Sequence, residues 1–263
     1  MLVNPGFYRN MPEPMHERAL REKQQWNAGT VDEEWARLRD RFAHVFACPN
    51  TQRLNAHWAR CIQQALPGKS VLVIGCFRGE EVGQYSRYRP ARIVGIDISD
   101  VAIAHAREHL QGEFHVMDAH AMEFQDHSFD TVIGRGILHH LDFERAIREA
   151  ARVLKPGGRL LCAEPLGDNP GAKVIRWLNP KSRTVDETPL TRQRIRFANE
   201  FFGGEHDHWF ANLTSVPVAM LTSLLPVQAD NWALRVCDRI DAALMHTPLR
   251  TWMRYSILNW QKK

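Results

Sequence analysis

Three short segments of this sequence bring chemically useful residues to the ends of apolar runs. The first, VLVIGCFRGEEVG (Val71–Gly83), carries Gly75 and Gly79 in a turn between an apolar run and a helix start. Glycines at such a turn let the backbone pass close to a ligand that a side chain would exclude. Taken alone, the turn reads equally well as a tight strand-to-helix connection that holds nothing. The second run ends Gly95-Ile96-Asp97, and Asp97 stands 22 residues after Gly75. At about that separation a carboxylate reaches a ribose hydroxyl pair in dinucleotide sites. An Asp there also suits a helix cap, but Asp100 is the better-placed N-cap for Val101–Leu110, which leaves Asp97 for a ligand. The third run ends Met117-Asp118-Ala119, where a carboxylate can accept an exocyclic adenine amine and the small Ala119 leaves room for the ring.

These residues need a scaffold that aligns the ends of successive strands. From Ser70 onward, short apolar runs at Val71–Ile74, Ile93–Ile96, Phe114–Met117, Phe129–Ile133 and Leu160–Ala163 alternate with amphipathic stretches, with helices at Asp100–Leu110 and Phe143–Leu154. That alternation is the pattern of βαβ units around a parallel sheet, whose ligands bind beyond the carboxyl ends of the strands. His208–Leu213 and Tyr255–Trp260 are strand-like and complete the sheet, with helices between them at Val216–Leu225 and Trp232–Met245. The expectation is a doubly wound, Rossmann-like α/β fold of seven strands, mostly parallel with an antiparallel last strand. Met1–Pro67 shows helical spacing only, in Trp35, Leu38, Phe42, Val45 and Phe46 and again in Leu54, Trp58, Cys61, Ile62 and Leu66. The division expected is a helical cap over residues 1–67 and a catalytic domain over 68–263, with substrate-side insertions or a lid at 165–250.

The ordered set VLVIGCFRG, VGID, MDA, SFDTVIGRGILHHL (Ser128–Leu141) and RVLKPGG (Arg152–Gly158) resembles the class I S-adenosylmethionine-dependent methyltransferases of the small-molecule, type 11-like group. The resemblance covers Ser70–Glu164 and implies S-adenosyl-L-methionine as cofactor. It also implies that Gly75, Cys76, Phe77 and Gly79 wrap the methionine part, that Asp97 holds the ribose, and that Asp118 and Ala119 hold the adenine, with Ile98 also among the cofactor-binding residues. Gly134 and Arg135 would then meet the donor's amino group through backbone carbonyls. Two positions depart from the family: Val73 stands where an acidic residue is usual, and Phe77 where a glycine is usual. The first loses a contact to the amino group. The second narrows the turn or sets a ring near the sulfonium, where a cation–π attraction of about 0.5–2 kcal/mol is available.

Methyl transfer from a sulfonium is an in-line displacement in which the protein aligns the reactants and excludes water. A base is required only for a poorly ionised hydroxyl or a protonated amine. The candidates are His139, His140, Glu164, Asp186, Glu187, His206, Asp207 and His208, with His140, Glu164 and His208 taken as the catalytic set. His139 and His140 can equally pack beside the donor, Glu164 can equally cap a helix, and His206-Asp207-His208 fits a solvated loop better than a metal site. No metal is expected. The lid-like stretch Glu164–Thr191, with Arg176, Lys181, Arg183, and then Arg192, Arg194 and Arg196, suits an anionic acceptor, although Arg183 can instead pair with Asp186 or Glu187. Tyr8, Trp26 and Trp177 read either as pocket walls or as core.

Composition narrows the partners. Lys and Arg outnumber Asp and Glu by 34 to 30, a surplus too small for a nucleic-acid footprint. The five cysteines are scattered and form no C-x-x-C pair, which fits reduced thiols in a cytoplasmic chain. No secretory signal and no spanning apolar run are legible. Trp232–Lys263 interleaves Trp and Leu with Arg, which reads as a packing helix or as a surface for peripheral membrane contact and a lipid-like acceptor. The expected activity is methyl transfer to a small-molecule acceptor, with O- or N-methylation favoured. The rivals are a non-catalytic, methyltransferase-like partner subunit and a nicotinamide-dependent oxidoreductase. The last is disfavoured because Gly75-Cys76-Phe77-Arg78-Gly79 lacks the middle glycine that admits a pyrophosphate.

Overall fold

The computed structural model describes residues 14–28, 30–170, 173, 177 and 187–263, with the side chains of 14–18 and 30–35 outside that description. Seven strands form one sheet: β1 (Ser70–Ile74), β2 (Arg92–Asp97), β3 (Glu113–Val116), β4 (Phe129–Arg135), β5 (Leu154–Pro165), β6 (Gly203–Ala211) and β7 (Tyr255–Lys262). Their order is β3-β2-β1-β4-β5-β7-β6. Strands β1 to β5 are parallel, and β7 runs antiparallel to both of its neighbours. The order reverses at β1, so β1 and β4 diverge in connectivity at the point where such sheets open a crevice. The Rossmann-like expectation is borne out, including the antiparallel strand.

The apolar runs of β1, β4 and β5 are buried on both sides because helices cover both faces, whereas Val116 of the edge strand β3 is exposed. Alternate residues of β1 go to opposite faces: Leu72 and Ile74 join one core, Val71 and Val73 the other. The first core packs α7 (Phe143–Val153) through Ala146, Ile147 and Ala150, and α8 (Arg192–Phe202) through Ile195 and Ala198. The second packs α4 (Pro49–Ala65) through Leu54, Trp58 and Ile62, α5 (Glu80–Ser86) through Val82, and α6 (Asp100–His109) through Ile103 and Ala106. A small third cluster, Val45, Cys48, Ala219 and Leu234, joins α3 (Ala43–Ala47) to α9 (Ser215–Thr222) and α10 (Trp232–Leu244).

Three local expectations change. The N-cap of α6 is Ser99, whose hydroxyl accepts from the Ala102 N–H at 3.0 Å, and Asp100 occupies the first helical position. The polar stretch 192–202 is a helix, α8, while α1 (Pro14–Ala28) and α2 (Thr30–Arg41) fall in the stretch where helices were expected. His206-Asp207-His208 lies in strand β6, not in a loop.

Candidate active site

The carboxyl ends of β1 to β4 open onto a cavity of about 290 Å³. Gly75, Phe77, Asp97, Ile98, Asp118, Ala119 and Arg135 all line it. Asp97 holds the glycine turn: its Oδ2 accepts the Phe77 N–H at 2.8 Å and its Oδ1 accepts the Ser99 N–H at 2.9 Å. A carboxylate offers about four lone-pair positions, so Asp97 keeps acceptor capacity toward the cavity. Burial raises the Asp97 pKa, against the backbone N–H groups of Ser99, Phe77 and Ile98 that favour the charged form. Gly75 has φ +65°, and a Cβ there would stand 2.5 Å from Cγ1 of Ile137, which also lines the cavity.

Asp118 is held by a neighbour that the sequence reading missed. Asp142 donates its N–H to Nε2 of His120 at 2.9 Å, which leaves the His120 Nδ1–H to donate to Asp118 Oδ1 at 2.6 Å. The His120 N–H reaches the same oxygen at 2.9 Å. Burial pushes the Asp118 pKa up, but the His120 contacts outweigh it and the net shift is downward. Both contacts fall on Oδ1 and fix the carboxylate's orientation. The spacing Asp118-x-His120 was the available sequence signal.

Other residues expected at the donor lie behind the cavity wall. Cys76 is buried with its sulfur packed where a Gly95 Cβ would sit, and burial drives its thiol pKa far up, so it stays protonated. Gly79 takes φ +81° as the N-cap of α5 against Phe114 and Leu110, and Gly134 packs on Ile137 and Ile74. None of the three lines the cavity; Gly136, at φ +65°, does. The Arg135 guanidinium pairs with Glu81 at 2.9 Å. Val73, at the family's acidic position, is core.

Helix α1 forms the wall opposite the strand ends through Ala19, Glu22 and Trp26. It is fastened to the start of α6: Ser99 Oγ donates to Asn27 Oδ1 at 2.6 Å, and Asp100 Oδ1 receives Asn27 Nδ2 at 3.1 Å and Lys23 Nζ at 3.0 Å. Trp26 donates to Glu22 Oε2 at 3.1 Å and meets Phe77 and His140 edge-on, at 5.8 and 5.4 Å between ring centroids. Trp26 is therefore a pocket wall. Trp177 is 75% exposed, and Tyr8 lies outside the described residues.

The three catalytic candidates separate. His140 lines the cavity, with Nδ1 at 3.5 Å from Glu22 Oε2. Glu164 is wholly buried: Oε1 accepts the N–H groups of Ile137 and Leu138 at 2.9 and 2.8 Å, and Oε2 accepts from His139 Nδ1 at 2.7 Å. It fixes the turn that carries the two histidines and is not a cavity wall. His208 lies away from the cavity, on β6. Its Nε2–H donates to Asn199 Oδ1 at 2.7 Å, and burial, helped by His206, lowers its pKa to about 4. It is a neutral packing residue, and the expectation of a base there is corrected.

The imidazoles of His139 and His140 and the Glu187 carboxylate bring ligand-type atoms within 4.8 Å of one another. Glu187 arrives because the following Thr188 N–H donates to the His139 carbonyl at 2.7 Å. Burial lowers the His139 pKa, but Glu164, Glu187 and Glu22 together raise it above the usual value. Arg192, Arg194 and Arg196 do not line the cavity; Arg194 binds the Thr188 carbonyl and Arg196 pairs with Glu200. Arg176, Lys181, Arg183 and Asp186 lie outside the described residues.

Part of the chain is similar to known proteins. Residues 72–162 match the family model described as a methyltransferase domain. A phthiotriol/phenolphthiotriol dimycocerosates methyltransferase of Mycobacterium leprae is 34% identical over 134 residues, which is 49% of this chain and 48% of that protein. An O-methyltransferase of Penicillium expansum is 33% identical over 111 residues, 39% of this chain and 40% of that protein. The chain thus spans about half, or less, of the length of these curated relatives. Among solved structures, a SAM-dependent methyltransferase from Archaeoglobus fulgidus superposes with a TM-score of 0.56 at 18% identity, covering 80% of this chain and 94% of that one. The resemblance to S-adenosylmethionine-dependent methyltransferases read from Ser70–Glu164 is borne out, and the fold is theirs.

Proposed function

We propose that this chain is an S-adenosylmethionine-dependent methyltransferase that acts on a small-molecule acceptor, with oxygen or nitrogen as the favoured nucleophile. The observation that carries the reading is the convergence of the Gly75 turn, Asp97 and Asp118 on one cavity roofed by α1. The residues fit the donor. Asp97 is an acceptor for vicinal hydroxyls, and Asp118, oriented by His120, is an acceptor for an exocyclic amine beside the small Ala119. When bound, the donor supplies an activated methyl group on a sulfonium. The chain's part is to fix the donor through these carboxylates, to exclude water with Trp26 and Ile137, and to present His140 to the acceptor. With Glu22 beside it, His140 is the group here that can take a proton from an acceptor hydroxyl or ammonium. The two relatives, a phthiotriol/phenolphthiotriol dimycocerosates methyltransferase and an O-methyltransferase, support a hydroxyl-bearing acceptor.

Calorimetric titration of the purified chain with S-adenosylmethionine, S-adenosylhomocysteine and a nicotinamide nucleotide tests the donor assignment. Binding of the first two alone is expected; tight binding of the nicotinamide nucleotide alone would sink it. A chain that binds donor but labels acceptors only when a second polypeptide is present would instead be a partner subunit. For the acceptor side, His140→Gln is expected to lower kcat by about 10²-fold, the usual worth of a positioned proton acceptor, with donor affinity little changed. Equal kcat in the variant removes His140 from proton transfer.

A further inference from the structure

Helices α9 and α10 show an unusual distribution of side chains. Their inner side is fixed: Ala219, Leu234 and Cys237 are buried, and the buried Asp241 carboxylate accepts from the N–H groups of Leu213, Thr214 and Ser215 and from the Thr214 and Ser215 hydroxyls. The outer side of an ordinary surface helix would be polar. Here Trp232, Val236 and Ile240, spaced four apart on one face of α10, are 80, 45 and 43% exposed. The α9–α10 connection adds Leu224 and Leu225, and the adjoining 3-10 helix (Pro248–Trp252), which packs on α10, adds Trp252. Scattered exposed apolar residues need no explanation, but six of them gathered on adjoining elements suit an interaction surface.

The charges around the patch choose the occupant. The acidic residues of α10 turn inward, Asp238 to Arg53 at 2.8 Å and to Asn50 at 2.8 Å, and Asp241 to the start of α9. Asp230 is neutralised by Arg235 at 2.7 Å. Arg239 and Arg250 are exposed, Arg250 with its guanidinium also over the Phe210 ring at 5.5 Å, and between Leu213 and Met253 there is no Glu and no Lys. An apolar strip carrying two tryptophans and edged by arginines matches the layer between the headgroups and acyl chains of an anionic bilayer. We propose that the outer face of α9, α10 and the Pro248–Trp252 turn docks the chain peripherally on an anionic lipid surface. This goes beyond the methyl-transfer reading and does not depend on it.

The test is co-sedimentation of the full chain with vesicles of phosphatidylcholine alone and of phosphatidylcholine mixed with phosphatidylglycerol, across a salt series. Binding to the mixed vesicles, weakened by salt and accompanied by a blue shift of tryptophan emission, is expected. Trp232→Glu combined with Leu225→Glu should weaken it by at least about tenfold, and Arg239→Glu with Arg250→Glu by a similar factor. Far-UV circular dichroism and donor calorimetry on each variant establish that the fold and the separate donor cavity are intact. The proposal is overturned if the wild-type chain stays in the supernatant with both vesicles, or if the double-glutamate variant binds as well as wild type. It is also overturned if the patch variants split a dimer on a sizing column while wild type ignores vesicles, because the face is then a subunit interface.

Discussion

At Phe77 the backbone and the side chain pull in opposite directions. Its φ of +46° lies in the left-handed region, which costs an L-residue about 1–2 kcal/mol and explains why glycine is usual there. The ring offsets this by contact with Trp26 and by lying under the Arg78 guanidinium at 5.3 Å. Phe77→Gly and Phe77→Ala both lose the ring, and only alanine keeps the strained Cβ. The glycine variant should therefore be the more stable of the two by about 0.5–1 kcal/mol in denaturant melts. An equal or reversed order would mean that the turn relaxes away from φ +46°. Gly75 is less tolerant: a Cβ meets Ile137 at 2.5 Å on a backbone already at φ +65°. Gly75→Ala should cost about 2 kcal/mol or more and abolish measurable donor binding, since Ile137 has to move within the cavity wall. Gly75, Asp97 and Asp118 were legible in the sequence because strand ends dictate where such residues point. Cys76, Gly79 and Gly134 were not separable from them, because only the path of the turn decides which atoms face the cavity. Glu164 was misplaced for a related reason: a strand-end carboxylate looks the same in sequence whether it faces a ligand or collects backbone N–H groups.

Strands β1 to β5 and β7 were readable because each carries a short apolar run bounded by turn residues, and α6 and α7 because their apolar spacing is helical; β6 was found only from His208 onward, because its first residues, Gly203–Asp207, are polar. Helix α1 was expected only as part of the helical cap, since the residues that seat it are polar. Asn27 and Lys23 attach it to Ser99 and Asp100, and Glu22 and Trp26 face a cavity, so no apolar stripe announces it. The arginines of α8 similarly mask the buried Ile195, Ala198 and Phe202. A helix held by a few polar contacts at its end is a natural candidate for opening on a faster timescale than the core. Lys23→Ala with Asn27→Ala should raise the donor dissociation rate several-fold, followed by stopped-flow Trp26 fluorescence, with the main unfolding transition little changed. An unaltered rate would show that α1 does not govern release.

Across the whole molecule, two buried histidines on different elements set opposite limits to stability. His139, on the turn after β4, has its pKa raised above the ordinary 6.5, because Glu164, Glu187 and Glu22 outweigh the burial that would lower it. The folded state therefore holds this proton more tightly than the unfolded chain. Its contribution is complete below pH about 6.5 and is lost as the pH rises through the raised value. His208, on β6, has its pKa lowered to about 4, chiefly by burial, from the same ordinary value. Here the unfolded chain takes up the proton first, so stability is lost as the pH falls from about 6.5 toward 4 and levels off below that. The shift corresponds to about 3 kcal/mol at most over that interval. Melting temperatures measured from pH 4 to pH 9 should thus peak near neutrality. His208→Gln, which keeps an N–H for Asn199, should flatten only the acid limb, and His139→Gln, which keeps a donor for Glu164, only the alkaline limb. Because the two sites lie on different parts of the sheet, the double variant should show both flattenings added. Acid and alkaline limbs that are unchanged in the respective variants would place the controlling protons on other groups.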